Sequence, residues 1–181
     1  MLDTGLKDFF LLEISKSADI QCLRVNFGAR DYLAEVMLAA SLVPGLTLGR
    51  DETIAELYCE ASLNHHPRAK LSKLKRIGDV SIVKVGLFPE SIHGIMNRGY
   101  YLEMGSAAYG QCYEFKKSET FRDLSNNIED YSDIIYGAKN SFITNNILEL
   151  YELWESTKSN FARRRLIALG FSLNSKNNWE Q

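Results

Sequence analysis

Apolar residues in this chain recur mostly at spacings of three and four, the signature of helices that bury one face. Leu6, Phe9, Phe10 and Ile14 predict a helix over 4–17. Asn26 reads as the N-cap of a second, whose stripe Tyr32, Leu33, Val36, Met37 and Ala40 runs to a stop at Pro44-Gly45. Asp51 reads as the cap of a third, with Ile54, Leu57, Tyr58 and Ala61 inward and Glu52, Glu56 and Glu60 outward. Acidic residues in that first turn complement the helix dipole. Asn64-His65-His66-Pro67 breaks the pattern, and Pro67 is placed to open the next helix at its first turn.

The stretch 67–88 begins amphipathic, with Leu71, Leu74 and Ile77 set among Arg68, Lys70, Lys73, Lys75 and Arg76. From Val80 to Phe88 it is apolar on nearly every side, as expected of a helix buried all round. Its β-branched residues leave a strand over 80–88 as the alternative, against which stands the lack of a second strand-like run. Pro89 and Gly94 bracket a short turn. The next helix, 99–116, puts Tyr101, Met104, Gly105, Ala108, Cys112 and Phe115 on one face. Gly105, Ser106, Ala107, Ala108 and Gly110 leave little bulk there, which predicts close approach of a neighbouring helix, the one holding Gly78 and Gly86 being the candidate.

Phe121, Leu124, Ile128, Tyr131, Ile135, Ala138 and Phe142 then form an a/d seam over a helix at 119–142. The seam closes an intramolecular bundle or, alternatively, a symmetric dimer. Ile147, Leu150, Tyr151 and Trp154 continue a helix over 144–157, and a last one, 160–169, ends at Gly170. These elements add up to an all-α, single-domain helical bundle of six to eight helices over 1–171. A central buried antiparallel helix pair, 67–88 and 99–116, organises it, and a polar tail occupies 172–181.

Composition narrows the function classes. Hydrophobic residues make up 45% and charged residues 24% of the chain, an ordinary globular balance that argues against disorder. A net charge of -2 exerts no general pull toward nucleic acid or anionic lipid. Cys22, Cys59 and Cys112 are far apart and lack neighbours at metal-ligand spacing, so they read as reduced cysteines in a reducing compartment. The run Phe9-Phe10-Leu11-Leu12 is too short and too acidic in its flanks for a signal peptide. No apolar run approaches the roughly 20 residues needed to span a bilayer. A cytoplasmic protein is expected.

Candidate chemistry concentrates in 68–116. Asp79 and Ser81 interrupt an apolar helix and need partners, because an unpaired buried charge is very costly. Arg98, Lys84, Tyr100 and Tyr101 are the candidates, as a structural network or as the polar wall of a pocket between 67–88 and 99–116. Glu103, one turn from Tyr100, could join Asp79 as a carboxylate pair for acid–base work. Glu90-Ser91-Ile92-His93 matches the Glu-x-x-His unit of di-iron bundles, but no second unit accompanies it. Arg68, Lys70 and Lys73 with the cluster Arg163-Arg164-Arg165 would contact an anion or an acidic partner if both lay on one face. Nucleophile motifs and Gly-rich phosphate loops are absent from the sequence.

Gly78-Asp79-Val80-Ser81, Gly86-Leu87-Phe88, Tyr100-Tyr101, the small run Gly105 to Gly110, and the later Leu150-Tyr151-x-x-Trp154 before an Arg-rich turn form a set. This set resembles an uncharacterised family of bacterial conserved proteins. The resemblance implies a helical fold and a bacterial cytoplasmic protein, and it brings no activity. The favoured expectation is a non-enzymatic regulatory or protein-interaction module that self-associates, without cofactor, metal, nucleic acid or membrane. The alternatives are a small-molecule-binding helical protein and an enzyme using Asp79 and Glu103.

Overall fold

A computed structural model of the chain describes residues 2–42, 53–92, 96–140, 147–157 and 159–171. Among them the secondary structure is α-helical, with one 3-10 turn at Pro89–Ser91 and no strand. The helices are α1 (Leu2–Ile20), α2 (Phe27–Leu42), α3 (Ile54–Leu63), α4 (Pro67–Leu87), α5 (Arg98–Lys116), α6 (Glu119–Asn126), α7 (Ile128–Lys139), α8 (Ile147–Thr157) and α9 (Asn160–Ala168). That is nine α-helices among the described residues rather than six to eight. The run at 80–88 is the C-terminal half of α4, not a strand.

Local signals account for several boundaries. The Asn26 carboxamide accepts from the Gly28 N–H at 2.8 Å, starting α2 as its sequence implies. Asp51 lies outside the described residues, and the cap of α3 is instead Thr53. Its hydroxyl accepts from the Glu56 N–H while the Glu56 carboxylate accepts from the Thr53 N–H, a reciprocal capping box. Pro67 opens α4 as its first residue. The Asn97 side chain caps α5 by accepting from the Tyr100 N–H at 2.9 Å.

The expected helix at 119–142 is broken. Asn127 leaves helical geometry (φ -124°, ψ 27°), and its carboxamide donates to the Asp123 carboxylate at 2.7 Å. Asparagine competes with helical bonding by such local contacts, which is why it favours helix ends. The break lets α6 lie against α5 while α7 turns inward among α1, α4 and α9. Leu124, Ile128, Tyr131, Ile135 and Ala138 are all buried within this single chain, so the seam closes the bundle and is not a dimer face. Phe142 lies outside the described residues. From Tyr131 to Ile135 every residue of α7 is buried, the polar Ser132 and Asp133 included.

A central helix, rather than a central pair, organises the bundle. α4 is continuously buried from Ile77 to Val83 and packs against α2, α3, α5 and α7. Its glycines set the distances. Gly78 faces the ring of Tyr109 in α5, and a Cβ there would sit 2.6 Å from ring carbons. Gly105 of α5 faces Ser81 and Ile128, with a Cβ 2.7 Å from that of Ser81. Gly78 thus meets a later residue of α5 than Ser81 does, and the two helices run antiparallel. On its other side, Gly86 lies against Ile135 of α7, at 2.7 Å from its Cγ2 for an added Cβ.

Two apolar clusters flank α4. One joins Ile14, Leu33, Val36, Met37, Ile82, Tyr131 and Ile135; the other joins Ile54, Leu57, Leu74, Ile77, Tyr101 and Cys112. Each such side chain, fully buried, contributes about 1.5–3 kcal/mol. α8 and α9 add a smaller cluster, Leu150, Phe161, Ala162 and Leu166, on which Tyr136 and Leu153 pack. No helix among the described residues is long and apolar enough to cross a membrane.

Candidate functional site

Asp79 finds its partners, and they are not the expected ones. Its Oδ1 accepts hydrogen bonds from the hydroxyls of Tyr32 (α2) and Tyr109 (α5, 2.9 Å), while Lys75, one turn earlier, approaches Oδ2 at 3.4 Å. The Lys75 ammonium also lies 5.0 Å from the centroid of the Tyr32 ring. Burial pushes the Asp79 carboxyl above its ordinary range, with the Lys75 charge and the two phenols pulling it back. Burial, then the Asp79 charge, raise both phenols, which therefore stay protonated and donate. This clasp ties α2, α4 and α5 together in a closed part of the core, and Asp79 lines neither cavity described below.

The other expected residues scatter. Ser81 is fully buried against Gly105, and its hydroxyl has no hydrogen-bond partner. Lys84 is half-buried. Tyr100 and Tyr101 pack edge to face, 5.6 Å between centroids, with Tyr101 in the cluster around Leu74 and Val85. Glu103 is exposed while Asp79 is buried behind tyrosines, so the two carboxylates do not share a site. Glu90 is exposed in the 3-10 turn near Lys139, and His93 lies outside the described residues. Among the described residues there is no group of His, Cys, Asp or Glu placed to hold a metal. Cys22 and Cys59 are exposed; Cys112 is buried, and burial pushes its thiol up to about 12.

Nor do the basic residues form one anion surface. Arg68 is exposed, Lys70 sits 5.8 Å from the Phe115 ring centroid, and Lys73 pairs with Glu60 of α3. All three belong to the first half of α4. Arg164 instead pairs with Asp130 of α7, with Arg163 exposed and Arg165 half-buried beside it. The two clusters are committed to different neighbours.

Arg98 proves informative. Standing at the start of α5, it donates to Glu129 at 2.7 Å and to Asp133 Oδ1 at 2.9 Å, both on α7. Arg164 approaches Asp133 from α9, its Nη1 lying 3.9 Å from Oδ2. Oδ2 itself is buried without a hydrogen-bond donor. Burial dominates the Asp133 carboxyl and lifts it from 3.8 to about 6, with Arg98 and then Arg164 opposing, and Glu129 and Asp130 reinforcing.

This ion pair forms the polar wall of a cavity of ≈ 270 Å³ where α4, α5, α7, α8 and α9 meet. Val85, Pro89, Ile92 and Leu153 give it an apolar side, while Asn97, Tyr136, Ser156 and Ser159 complete the lining with Arg98 and Asp133. Its volume lies just below the roughly 300 Å³ at which ligand pockets of drug-sized molecules start. A second, almost wholly apolar groove of ≈ 310 Å³ lies between Phe9, Phe10, Met37, Leu87 and Phe88, with Lys139 at its edge. The first cavity sits at the C-terminal end of α4, and among the polar residues expected to wall a pocket between 67–88 and 99–116 only Arg98 lines it.

Sequence reasoning missed Asp133, Tyr136, Tyr32 and Tyr109. Asp133 reads as the solvent side of an amphipathic helix until α9 and α1 are seen to cover that side too. The available signal was Ser132-Asp133 wedged between Tyr131 and Ile134-Ile135, a nearly continuous buried run. No family model, curated protein or solved structure matches the chain, so function has to be argued from this geometry.

Proposed function

We propose that the protein is a non-enzymatic helical module that binds a small molecule in the cavity walled by Arg98 and Asp133. One observation carries this: a buried carboxylate, paired with the half-buried Arg98 and keeping one oxygen without a donor, stands on the wall of a preformed cavity that also has an apolar side. Buried ion pairs rarely add stability over apolar packing, whereas a few convergent polar groups in an apolar pocket are what ligand recognition needs. The exposed thiols of Cys22 and Cys59 suit a reducing, cytoplasmic setting.

Ser156 is exposed at the rim of the cavity, so Ser156→Trp fills the space without disturbing the core. Screening a panel of small amphipathic compounds by thermal shift should give hits that stabilise the wild type and leave Ser156→Trp unmoved. Hits that stabilise both proteins equally would place binding elsewhere and defeat the reading.

The apolar groove favours a second reading, a protein-interaction role that includes self-association. Phe9 is 46% exposed at its edge, and an exposed aromatic beside a groove is a common anchor. Light scattering should then show a mass above the monomer that Phe9→Asp reduces. A monomeric wild type that retains no partner in a pull-down would remove this reading.

A further inference from the structure

The charge around the cavity selects among ligands. We propose that the pocket takes a small ligand carrying a protonated amine on a compact apolar body, with the ammonium donating to the Asp133 carboxylate. This inference rests on the cavity being a binding site.

An incoming anion finds Arg98 already engaged: one guanidinium nitrogen serves Glu129 and the other serves Asp133, with Ser132 Oγ at 3.5 Å from the latter. Drawing Arg98 toward an anion would strip Asp133 of its one close donor and leave a buried charge unpaired, a strongly unfavourable change. An incoming ammonium meets the opposite situation. Asp133 has unfilled acceptor capacity, since Oδ2 lacks a donor and Arg164 stops at 3.9 Å. Around the ion pair stand the carboxylates of Glu129, Asp130 and Asp133 against the guanidiniums of Arg98 and Arg164, a local excess of negative charge. Tyr136 stands on the same lining; burial raises its hydroxyl, and the negative field of Glu90 and Glu149 raises it further. Ser156 offers a further oxygen, and Val85, Pro89, Ile92 and Leu153 cover an apolar body. The volume of ≈ 270 Å³ restricts that body to about a single ring or a short branched chain.

Benzylamine, benzyl alcohol and benzoate share a ring and differ in the head group, so they separate charge from shape. Saturation-transfer NMR and thermal shift on the full chain at neutral pH should rank benzylamine first and benzoate last. Asp133→Asn should weaken benzylamine by about tenfold or more, the worth of one charge-assisted hydrogen bond, and leave benzyl alcohol unchanged. If Asp133→Asn does not fold, Leu153→Lys supplies the second comparison. It sets a cation on the half-buried lining of α8 and should weaken benzylamine more than benzyl alcohol. Benzoate or benzyl alcohol binding as tightly as benzylamine would overturn the amine assignment while leaving the pocket standing. No binding by any of the three would overturn the pocket itself.

Discussion

Gly78→Ala should destabilise the protein by about 1–3 kcal/mol, the range for forcing an extra methyl into a packed core. An alanine in a helix interior ordinarily gains roughly 1 kcal/mol over glycine, so the expected sign is the reverse of the propensity. The reason is the neighbour. The new Cβ would fall 2.6 Å from Cδ1 of Tyr109, whose ring is fully buried and has nowhere to retreat. Moving that ring also pulls its hydroxyl from the Asp79 carboxylate, opening the clasp between α4 and α5. Gly5 provides the opposite case in the same protein. It lies in α1 with nothing within 4 Å of an added Cβ, so Gly5→Ala should be neutral or stabilising by up to about 1 kcal/mol. Urea unfolding of both variants tests the pair, and equal effects would show that the α4–α5 contact is not as close as described.

The stability of the wild type should also fall by about 2 kcal/mol relative to Asp133→Asn between about pH 4 and pH 7. In the folded protein burial raises the Asp133 carboxyl from 3.8 to about 6. The native state therefore holds this proton where the unfolded chain has released it. The stabilising contribution is fully present below the unfolded value and is lost as pH rises through about 6. A tenfold difference in proton affinity between the folded and unfolded chain is worth roughly 1.4 kcal/mol, which sets the size of the expected fall. The groups facing Asp133 are Arg98 from α5, Arg164 from α9, and Glu129 and Asp130 from α7 itself. The arginines keep the carboxyl from rising further. Asp79 is raised as well and adds a slope of the same sign. Because Asp133→Asn retains Asp79, subtracting the two proteins' urea-derived stabilities isolates Asp133. A difference that stays flat across this range would mean that the carboxyl titrates normally and is not desolvated.

Both effects bear on what could be read from residue order. The helices were legible because their apolar faces repeat at helical spacing and because Asn26 and Pro67 punctuate them. The small-residue run of α5 was legible too: Gly105 does lie against α4, at Ser81, as its lack of bulk implies. Asp79 was recognisable as a residue needing partners, since a carboxylate in an apolar run has to be satisfied. Its partners were not, because Tyr32 lies 47 positions away on a helix whose neighbour depends on tertiary packing. Tyr109 was hidden for a different reason, being one of nine tyrosines with an equal claim. Asp133 was obscured by the apparent heptad over 119–142. The seam residues of α7 are buried as that pattern implies, but α1 and α9 cover the opposite side of the helix as well, and so Asp133 is buried too.

The position of α7 has a consequence for how the chain reaches its native state. Ser17 of α1 donates to the carbonyl of Ile134, a bond spanning 117 positions, and Gln21 donates to that of Asp133 across 112. Contacts this distant in sequence close large loops before they return any energy, and they slow folding. During synthesis at about 5–20 residues per second, α1 emerges well before α7, the helix it packs against. Until α7 arrives, the sides of α1 and α4 that pack on it lack that cover, so the late delivery of one short segment sets how long part of the core stays open in the nascent protein.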